Sequence, residues 1–287
     1  VDLVEDRLKL TFGTKLEHND FTGFEVQPSA RLAWTPAEEH TVWTAVSRAV
    51  RTPSRAEHDV DHLFLTGPIP IPFAPPGFTS VRGRDRADSE SVLAFELGWR
   101  WHPVPELSFD LALFYNNYEH IIGFPVRNPE PVLTFPPYLF IPIQFANDLD
   151  AQTYGAEVDA RWRVTPEWLL SAGYALLDVQ IQGEAGVSQE AEGDSAHHRL
   201  NIRSYWDVAE AWQVNTALFW VDNVSNHDIP SWIRLDVQVR WDPCESASLA
   251  IGVQNILDDR HPEFTNALAS MPFEIERLAY VTLEFRF

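Results

Sequence analysis

The chain alternates between apolar and polar positions. The stretch SWIRLDVQVRW (231–241) sets Ile233, Leu235, Val237, Val239 and Trp241 against Arg234, Asp236, Gln238 and Arg240. A strand turns successive residues to opposite faces, so one face here is wholly apolar and the other carries three charges in four positions. The same period marks twelve strands, near 6–17, 25–34, 40–50, 89–101, 106–124, 152–163, 167–179, 197–206, 212–223, 231–241, 246–255 and 277–287. Few stretches favour helix. Most of these runs are about 10–13 residues, nearer the tilted strand of a membrane barrel than the average strand of a soluble protein.

The links between the runs take turns in length. Those at 35–39, 102–106, 164–167, 207–211 and 242–245 are short, while those at 51–88, 125–151, 180–196 and 256–276 are long, and only 18–24 and 224–230 are brief on the long side. Short turns at one rim and long loops at the other predict an all-β, antiparallel up-and-down transmembrane barrel with the short turns periplasmic. In a soluble sandwich the apolar face would meet a second sheet; in a membrane barrel it meets lipid, and the charged face lines a lumen. The tryptophans separate the two, because a bilayer gathers them at its interfaces. Trp34, Trp43, Trp99, Trp101, Trp162, Trp168, Trp206, Trp212 and Trp241 lie beside short turns, and Trp220 and Trp232 flank 224–230, which predicts an aromatic girdle.

Composition sharpens this picture in three ways. Acidic residues outnumber basic ones 42 to 21, which argues against nucleic acid as a partner because phosphate binding needs a positive face. No run approaches the roughly 18 apolar residues of a membrane helix. The one cysteine, Cys244, excludes an intrachain disulfide framework and a cysteine-based zinc site. The chain opens at Val1 without a signal segment, which reads as processing or truncation.

Several segments resemble the TonB-dependent receptors of Gram-negative outer membranes. In AVSRAVRTPSRAEHD (45–59), Arg51, Pro53 and Ser54 match the Arg-x-Pro-Ser with which a strand of that family opens an extracellular loop. DSESVLAFELGWR (88–100) resembles the next strand entry through Glu90, Glu96, Gly98 and Arg100. FANDLDAQTYGAEVDARW (145–162) is similar to the Asn…Tyr-Gly-x-Glu strand through Asn147, Tyr154, Gly155 and Glu157. GVQNILDDRHPEF (252–264) resembles the near-terminal Gly-x-x-Asn-Leu segment through Asn255, with Ile256 in place of Leu. The last strand, closing on Phe287, resembles the signal read by the barrel-assembly machinery.

The resemblance implies a larger barrel of about 22 strands filled by an N-terminal plug. No plug or TonB box is visible, so residues 1–287 read as the C-terminal barrel portion, with a small self-closed twelve-stranded barrel as the alternative origin. The implied function is energised uptake of a scarce chelate, a ferric siderophore first, cobalamin or another metal complex next, with no enzymatic activity and no cofactor. The implied partners are outer-membrane lipid and lipopolysaccharide, the TonB complex through the missing part, and a small metal chelate. A passive pore and an outer-membrane hydrolase are the rival readings; His197 and His198 stand with no serine or cysteine in a nucleophile motif, which leaves the hydrolase little support.

Candidate ligand chemistry lies in the long loops. EHDVDH gathers Glu57, His58, Asp59, Asp61 and His62, donors that suit a divalent cation or, more plainly, form a solvated acidic loop. In DDRHPEF, Asp258 and Asp259 read as turn residues beside His261 and Glu263. The loops are acidic overall and would repel an anion at long range, with Arg82, Arg84 and Arg86 as a local exception. Phe135, Pro136, Pro137, Tyr138 and Phe140 form either a surface for stacking an amphipathic ligand or a rigid lid.

Overall fold

In a computed structural model, which describes residues 1–66, 77–84, 87–133, 137–183, 192–266 and 271–286, the alternation resolves into one large antiparallel sheet. The strands in chain order are β1 (Asp2–Val4), β2 (Leu8–Asn19), β3 (Gly23–Ala37), β4 (His40–Arg51), β5 (Asp61–Thr66), β6 (Gly77–Arg82), β7 (Glu90–Val104), β8 (Leu107–Gly123), β9 (Glu130–Val132) and β10 (Tyr138–Gln144). They continue with β11 (Ala146–Thr165), β12 (Trp168–Gln182), β13 (His198–Ala209), β14 (Trp212–Val221), β15 (Trp232–Cys244), β16 (Ala247–Gln254), β17 (Arg260–Asn266), β18 (Met271–Glu276) and β19 (Leu278–Phe285). The main sheet runs β1-β2-β3-β4-β7-β8-β11-β12-β13-β14-β15-β16-β19, each strand beside its predecessor in the up-and-down path. All twelve strands expected from the alternation are in it, and the three-residue β1 adds a thirteenth.

The register carries one apolar face unbroken across the sheet. Trp34 pairs with Val42 and Val42 with Trp99; further along, Ala160 pairs with Ala172, Ala172 with Ile202, Ile202 with Leu218 and Leu218 with Leu235. Among the described residues no protein layer covers this face: Phe12 is 70% exposed, Trp162 48% and Val281 64%. A contiguous apolar surface of this extent is unfavourable in water and matches a hydrocarbon solvent. Charged members of the same rows, Arg48, Glu119 and Asp178, occur only towards the loop-bearing strand ends, where an apolar band gives way to headgroups.

Eight tryptophans of this face, Trp34, Trp99, Trp101, Trp162, Trp168, Trp206, Trp212 and Trp241, lie towards the short-turn rim. Neighbouring strands bring their rings together, tilted with centroids 5.6 Å apart for Trp168 and Trp206 and stacked at 5.8 Å for Trp212 and Trp241. Two tryptophans depart from the expected girdle. Trp43 lies one residue out of step with Val42 and Thr44, so it faces inward, against Gly98 on β7. Trp232 is likewise out of step with Ile233 and stacks 4.6 Å from the ring of His261.

The inner face is polar and shaped by small residues. A side chain at Gly98 would run into the indole of Trp43, and one at Gly155 into the ring of Phe114 and the carbonyl of Leu176. Both glycines matched in the sequence motifs therefore admit a neighbouring aromatic ring against the backbone.

Two-residue turns join β3 to β4, β7 to β8, β11 to β12, β13 to β14 and β15 to β16, and each contains a glutamate. The long connections are at the opposite rim, and they are not bare loops as the alternation implied. The strands β5, β6, β10 and β9 form a four-stranded sheet in which β6 and β10, from different connections, pair in parallel, and β17 and β18 form a hairpin. Short runs interrupted by proline, such as Pro142 in β10, hid these strands from the period-two reading.

The outermost strands β1 and β19 do not pair with one another, which agrees with the expected portion of a larger barrel and goes against the alternative of a self-closed twelve-stranded ring. One edge of β19 is taken by β16, and its other edge has no partner strand among the described residues.

Two substitutions test the faces. Val237→Arg, on the lipid side, is expected to hinder insertion by about 2–4 kcal/mol near the midplane, while Gln238→Arg, on the lumen side, is nearly neutral. Folding yields in vesicles compare them directly, and equal effects would contradict the assignment. Gly98→Leu is expected to cost about 1–3 kcal/mol by overpacking against Trp43, read as a lower denaturant midpoint that Trp43→Ala in the same chain largely restores.

Candidate ligand-binding site at the loop rim

The first long connection leaves β4 at Arg51, whose guanidinium holds both oxygens of Glu90 on β7, at 2.6 and 2.5 Å, and reaches Glu57 Oε1 at 2.9 Å. Glu57 sits in the short helix α1 (Arg55–Asp59), capped reciprocally: Ser54 N donates to Glu57 Oε2 at 2.6 Å, and Glu57 N donates to Ser54 Oγ at 3.3 Å. Pro53 is buried beneath this turn. Glu90 also accepts from Ile122 N at 2.8 Å, so Arg51, Ser54, Glu57 and Glu90 tie the connection to β4, β7 and β8. Burial pushes the Glu57 carboxyl up, but the hydrogen bonds from Arg51 and Ser54 outweigh it and hold the group below its ordinary value.

A second brace lies beside the first. Asn147 donates to the carbonyls of Asp88, at 2.9 Å, and His120, at 2.8 Å, and accepts from Asp88 N at 3.0 Å. His120 adopts a left-handed φ of 60°, and Asp150 Oδ1 accepts its N–H at 3.0 Å. Side chains of β11 thus stabilise an unfavourable backbone conformation in β8.

The third brace is at Asn255, which is fully buried at the end of β16 with φ of 54°. Its N–H donates to Asp236 Oδ1 at 3.0 Å, and its side-chain amide reaches His261 Nδ1 and Ile275 O, each at 3.2 Å. On the other side of the ring, His261 Nε2 lies 3.1 Å from Glu263 Oε1. Asp259 pairs with Arg277 at 2.9 Å. The DDRHPEF segment therefore closes the base of the β17–β18 hairpin.

The EHDVDH residues do not converge. Glu57 turns to Arg51, His58 hydrogen-bonds Asp59 at 2.6 Å and stands 5.1 Å from the ring of Phe21, Asp61 lies 3.8 Å from Arg82, and His62 is on β5 opposite Val81. The Asp59 carboxyl is held below its ordinary value by His58 and then Arg55. Among the described residues no group of three or more histidine, cysteine or carboxylate side chains could hold a metal ion.

The loop sheet instead brings together candidates that the sequence leaves far apart. Phe140 and Phe78 are register partners across β10 and β6, and Tyr138 meets Phe78 edge-on with centroids 5.1 Å apart. The Arg82 guanidinium lies 5.4 Å from the centroid of Phe140. Phe78, missed in the sequence reading, has a signal only in the alternation of Phe78, Ser80 and Arg82 along six residues. The Arg84 backbone N–H donates to Glu57 O at 2.9 Å, placing it beside α1. Arg86, Phe135, Pro136 and Phe287 lie outside the described residues. Of the other motif residues, Glu157 faces inward, and Tyr154 faces outward near the loop rim and accepts from Gln180 at 3.1 Å.

Three comparisons place this arrangement among known proteins. A family model described as TonB dependent receptor-like, beta-barrel matches residues 2–256. A probable TonB-dependent siderophore receptor, PiuA, of Acinetobacter baumannii is 22% identical over 201 residues, covering 64% of this chain and 25% of that protein. An iron-regulated outer membrane virulence protein of Vibrio cholerae is 22% identical over 269 residues, covering 88% and 39%. Among solved structures, the siderophore receptor PirA from Pseudomonas aeruginosa superposes with a TM-score of 0.71 at 18% identity, over 99% of this chain and 46% of the other. A ferric enterobactin receptor variant from the same organism, in complex with enterobactin, gives 0.77 at 17% identity, over 98% and 43%. The chain spans less than half the length of each of these proteins.

The Arg51 brace makes a pH-dependent prediction. Because the folded-state pKa of Glu57 is depressed, its contribution is present above the ordinary value of 4.5 and is lost as pH falls through and below it. Amide exchange in 54–60 is expected to rise over that window. Arg51→Ala should accelerate the same amides already at pH 7, by about 1–2 kcal/mol of local stability because Arg51 is half exposed. Unchanged exchange in the variant would show that the pairing does not organise the loop.

Proposed function

The chain belongs to the TonB-dependent receptor β-barrel family, and on that premise we propose that it supplies the ligand-facing loops and twelve long strands of a receptor for energised uptake of a ferric siderophore. It is an outer-membrane β-barrel protein of a Gram-negative bacterium, in a family of receptors and transporters. The open edges at β1 and β19 support a larger ring, since an unpaired strand edge is costly in hydrocarbon. In this reading the TonB complex supplies the energy, the barrel-assembly machinery inserts the strands, and lipopolysaccharide surrounds the loop rim.

The observation that carries the siderophore reading is the grouping of Phe78, Tyr138, Phe140 and Arg82 in one loop sheet. Flat aromatic rings beside a guanidinium suit a chelate that presents both an apolar face and negative charge. In an acidic protein this local cation offsets long-range repulsion of an anion at the point of contact. Cobalamin, bulky and without comparable negative charge, has no use for Arg82.

The chain folded in detergent micelles is expected to bind ferric enterobactin with quenching of tryptophan fluorescence, and to bind cyanocobalamin more weakly. Arg82→Ala and Phe140→Ala should each weaken ferric enterobactin binding at least about tenfold, equivalent to 1.4 kcal/mol. Unchanged affinity in both variants, or preference for cyanocobalamin, would overturn the assignment.

A further inference from the structure

We propose that the lipid-facing wall carries a site for one anionic lipid of the outer leaflet: an acyl chain lies in a groove across β3 and β4, and its phosphate headgroup meets Arg48. The proposal rests on the outward face meeting lipid and not on the identity of the transported chelate.

Register builds the groove. Two outward rows cross β2, β3, β4 and β7 in full: Leu10, Leu32, Thr44 and Leu97, then Phe12, Ala30, Val46 and Phe95. A third row, one step loop-ward, holds Thr14 beside Pro28 and Arg48 beside Leu93. Two adjoining hollows of about 340 and 210 Å³ follow these rows and share Ala30 and Val46. Rings on β2 and β7 wall them, with Phe12 70% and Phe95 44% exposed, while the short Ala30 floors them. Thr44 donates its hydroxyl to Glu96 O at 2.8 Å, so the floor keeps no free side-chain donor. From Thr44 to Arg48 the groove runs ~13 Å along the strand. An elongated apolar hollow of this kind takes a hydrocarbon chain.

The loop-ward end makes the lipid specific. Pro28 has no N–H to give to a ladder, and the pairing of β3 with β4 stops at Ser29 and Ser47. In the opening, Arg48 Nη1 donates to Val26 O at 2.7 Å, and Val50 N donates to Gln27 Oε1 at 3.3 Å. The guanidinium is thereby fixed at the end of the groove. Among the described residues no carboxylate lies within ion-pair distance of it, and the rest of its donor fork is left to a ligand.

Arg48 is also the one lysine or arginine, among the described residues, in the outward rows from β2 to β19. The other loop-ward charges of those rows include Glu119 and Asp178, which repel an anion. A negative headgroup is therefore drawn to β4. Half-buried where hydrocarbon gives way to headgroups, the guanidinium suits a phosphate, which it holds by charge-assisted hydrogen bonds while its stem lies along the apolar wall.

Native mass spectrometry of the full chain released from micelles identifies the occupant. With bisphosphorylated lipid A as the probe, one bound lipid is expected to saturate ahead of further additions. Lipid A stripped of both phosphates should bind at least about tenfold more weakly. This comparison on the parent chain requires no variant to fold. Arg48→Gln should lower retention of lipid A to that of the stripped lipid. Ala30→Trp leaves Arg48 in place but fills the floor, and it should weaken retention of both lipids at least about tenfold. Ferric enterobactin binding is expected to be unchanged in Arg48→Gln, so failure of the loop assignment and failure of this one are distinguishable. Equal retention of the two lipids, undiminished retention in either variant, many lipids bound with no first site, or a dimer of the chain in place of bound lipid would overturn the proposal.

Discussion

Everything in this structure depends on pairing the backbone where there is no water. In hydrocarbon an unsatisfied N–H or C=O costs several kcal/mol, and only helices or continuous strand ladders avoid it. The chain answers with a ladder in which each long strand is hydrogen-bonded to the next along the whole run from β2 to β19. Once the ladder is set, alternation decides which side chains meet lipid and which meet the lumen. A one-residue slip would invert both faces at once. The matched rows from Trp34 to Phe285 keep the register specified, and their ring stacks at the short-turn rim mark where hydrocarbon ends.

The loop rim faces the opposite problem, since its connections are long and water competes for every polar group. Three compact braces solve it, at Arg51, Asn147 and Asn255, and each joins a connection to more than one strand. Two of them sit beside left-handed residues, His120 and Asn255, whose strain is tolerated because fixed side-chain hydrogen bonds surround it. Several residues that the motifs single out therefore organise loops, and the proposed ligand contacts fall to other side chains, Arg82 and Phe140.

The distribution of positive charge bears directly on the proposed loop site. The protein is strongly acidic, so an anion gains little from its long-range field. Attraction must come at short range, as at Arg82, whose guanidinium lies over Phe140 in the loops. The ring orients the Arg82 cation, and the nearest carboxylate, that of Asp61, stands 3.8 Å away.

Sequence alone determined the strands, their faces and the two unlike rims, because each is a local property: period two, turn chemistry and the spacing of tryptophans are read within a dozen residues. The motif residues Arg51, Glu90, Gly98, Gly155 and Asn255 were legible by resemblance, but their work was not. Gly98 is explained only by Trp43, on a strand reached through a long connection, and Asn255 only by His261 and Asp236. The same dependence misled the reading of Trp43 and Trp232, whose nearness to turns says nothing of which face they take. What only tertiary structure decided was which distant residues meet: the EHDVDH donors separated towards Arg51, Phe21 and Arg82, while β6 and β10 joined in parallel to assemble Phe78, Tyr138, Phe140 and Arg82. Contacts between separate connections leave no period in the sequence, because their partners are chosen by strand order and register across the barrel wall and not by neighbours along the chain.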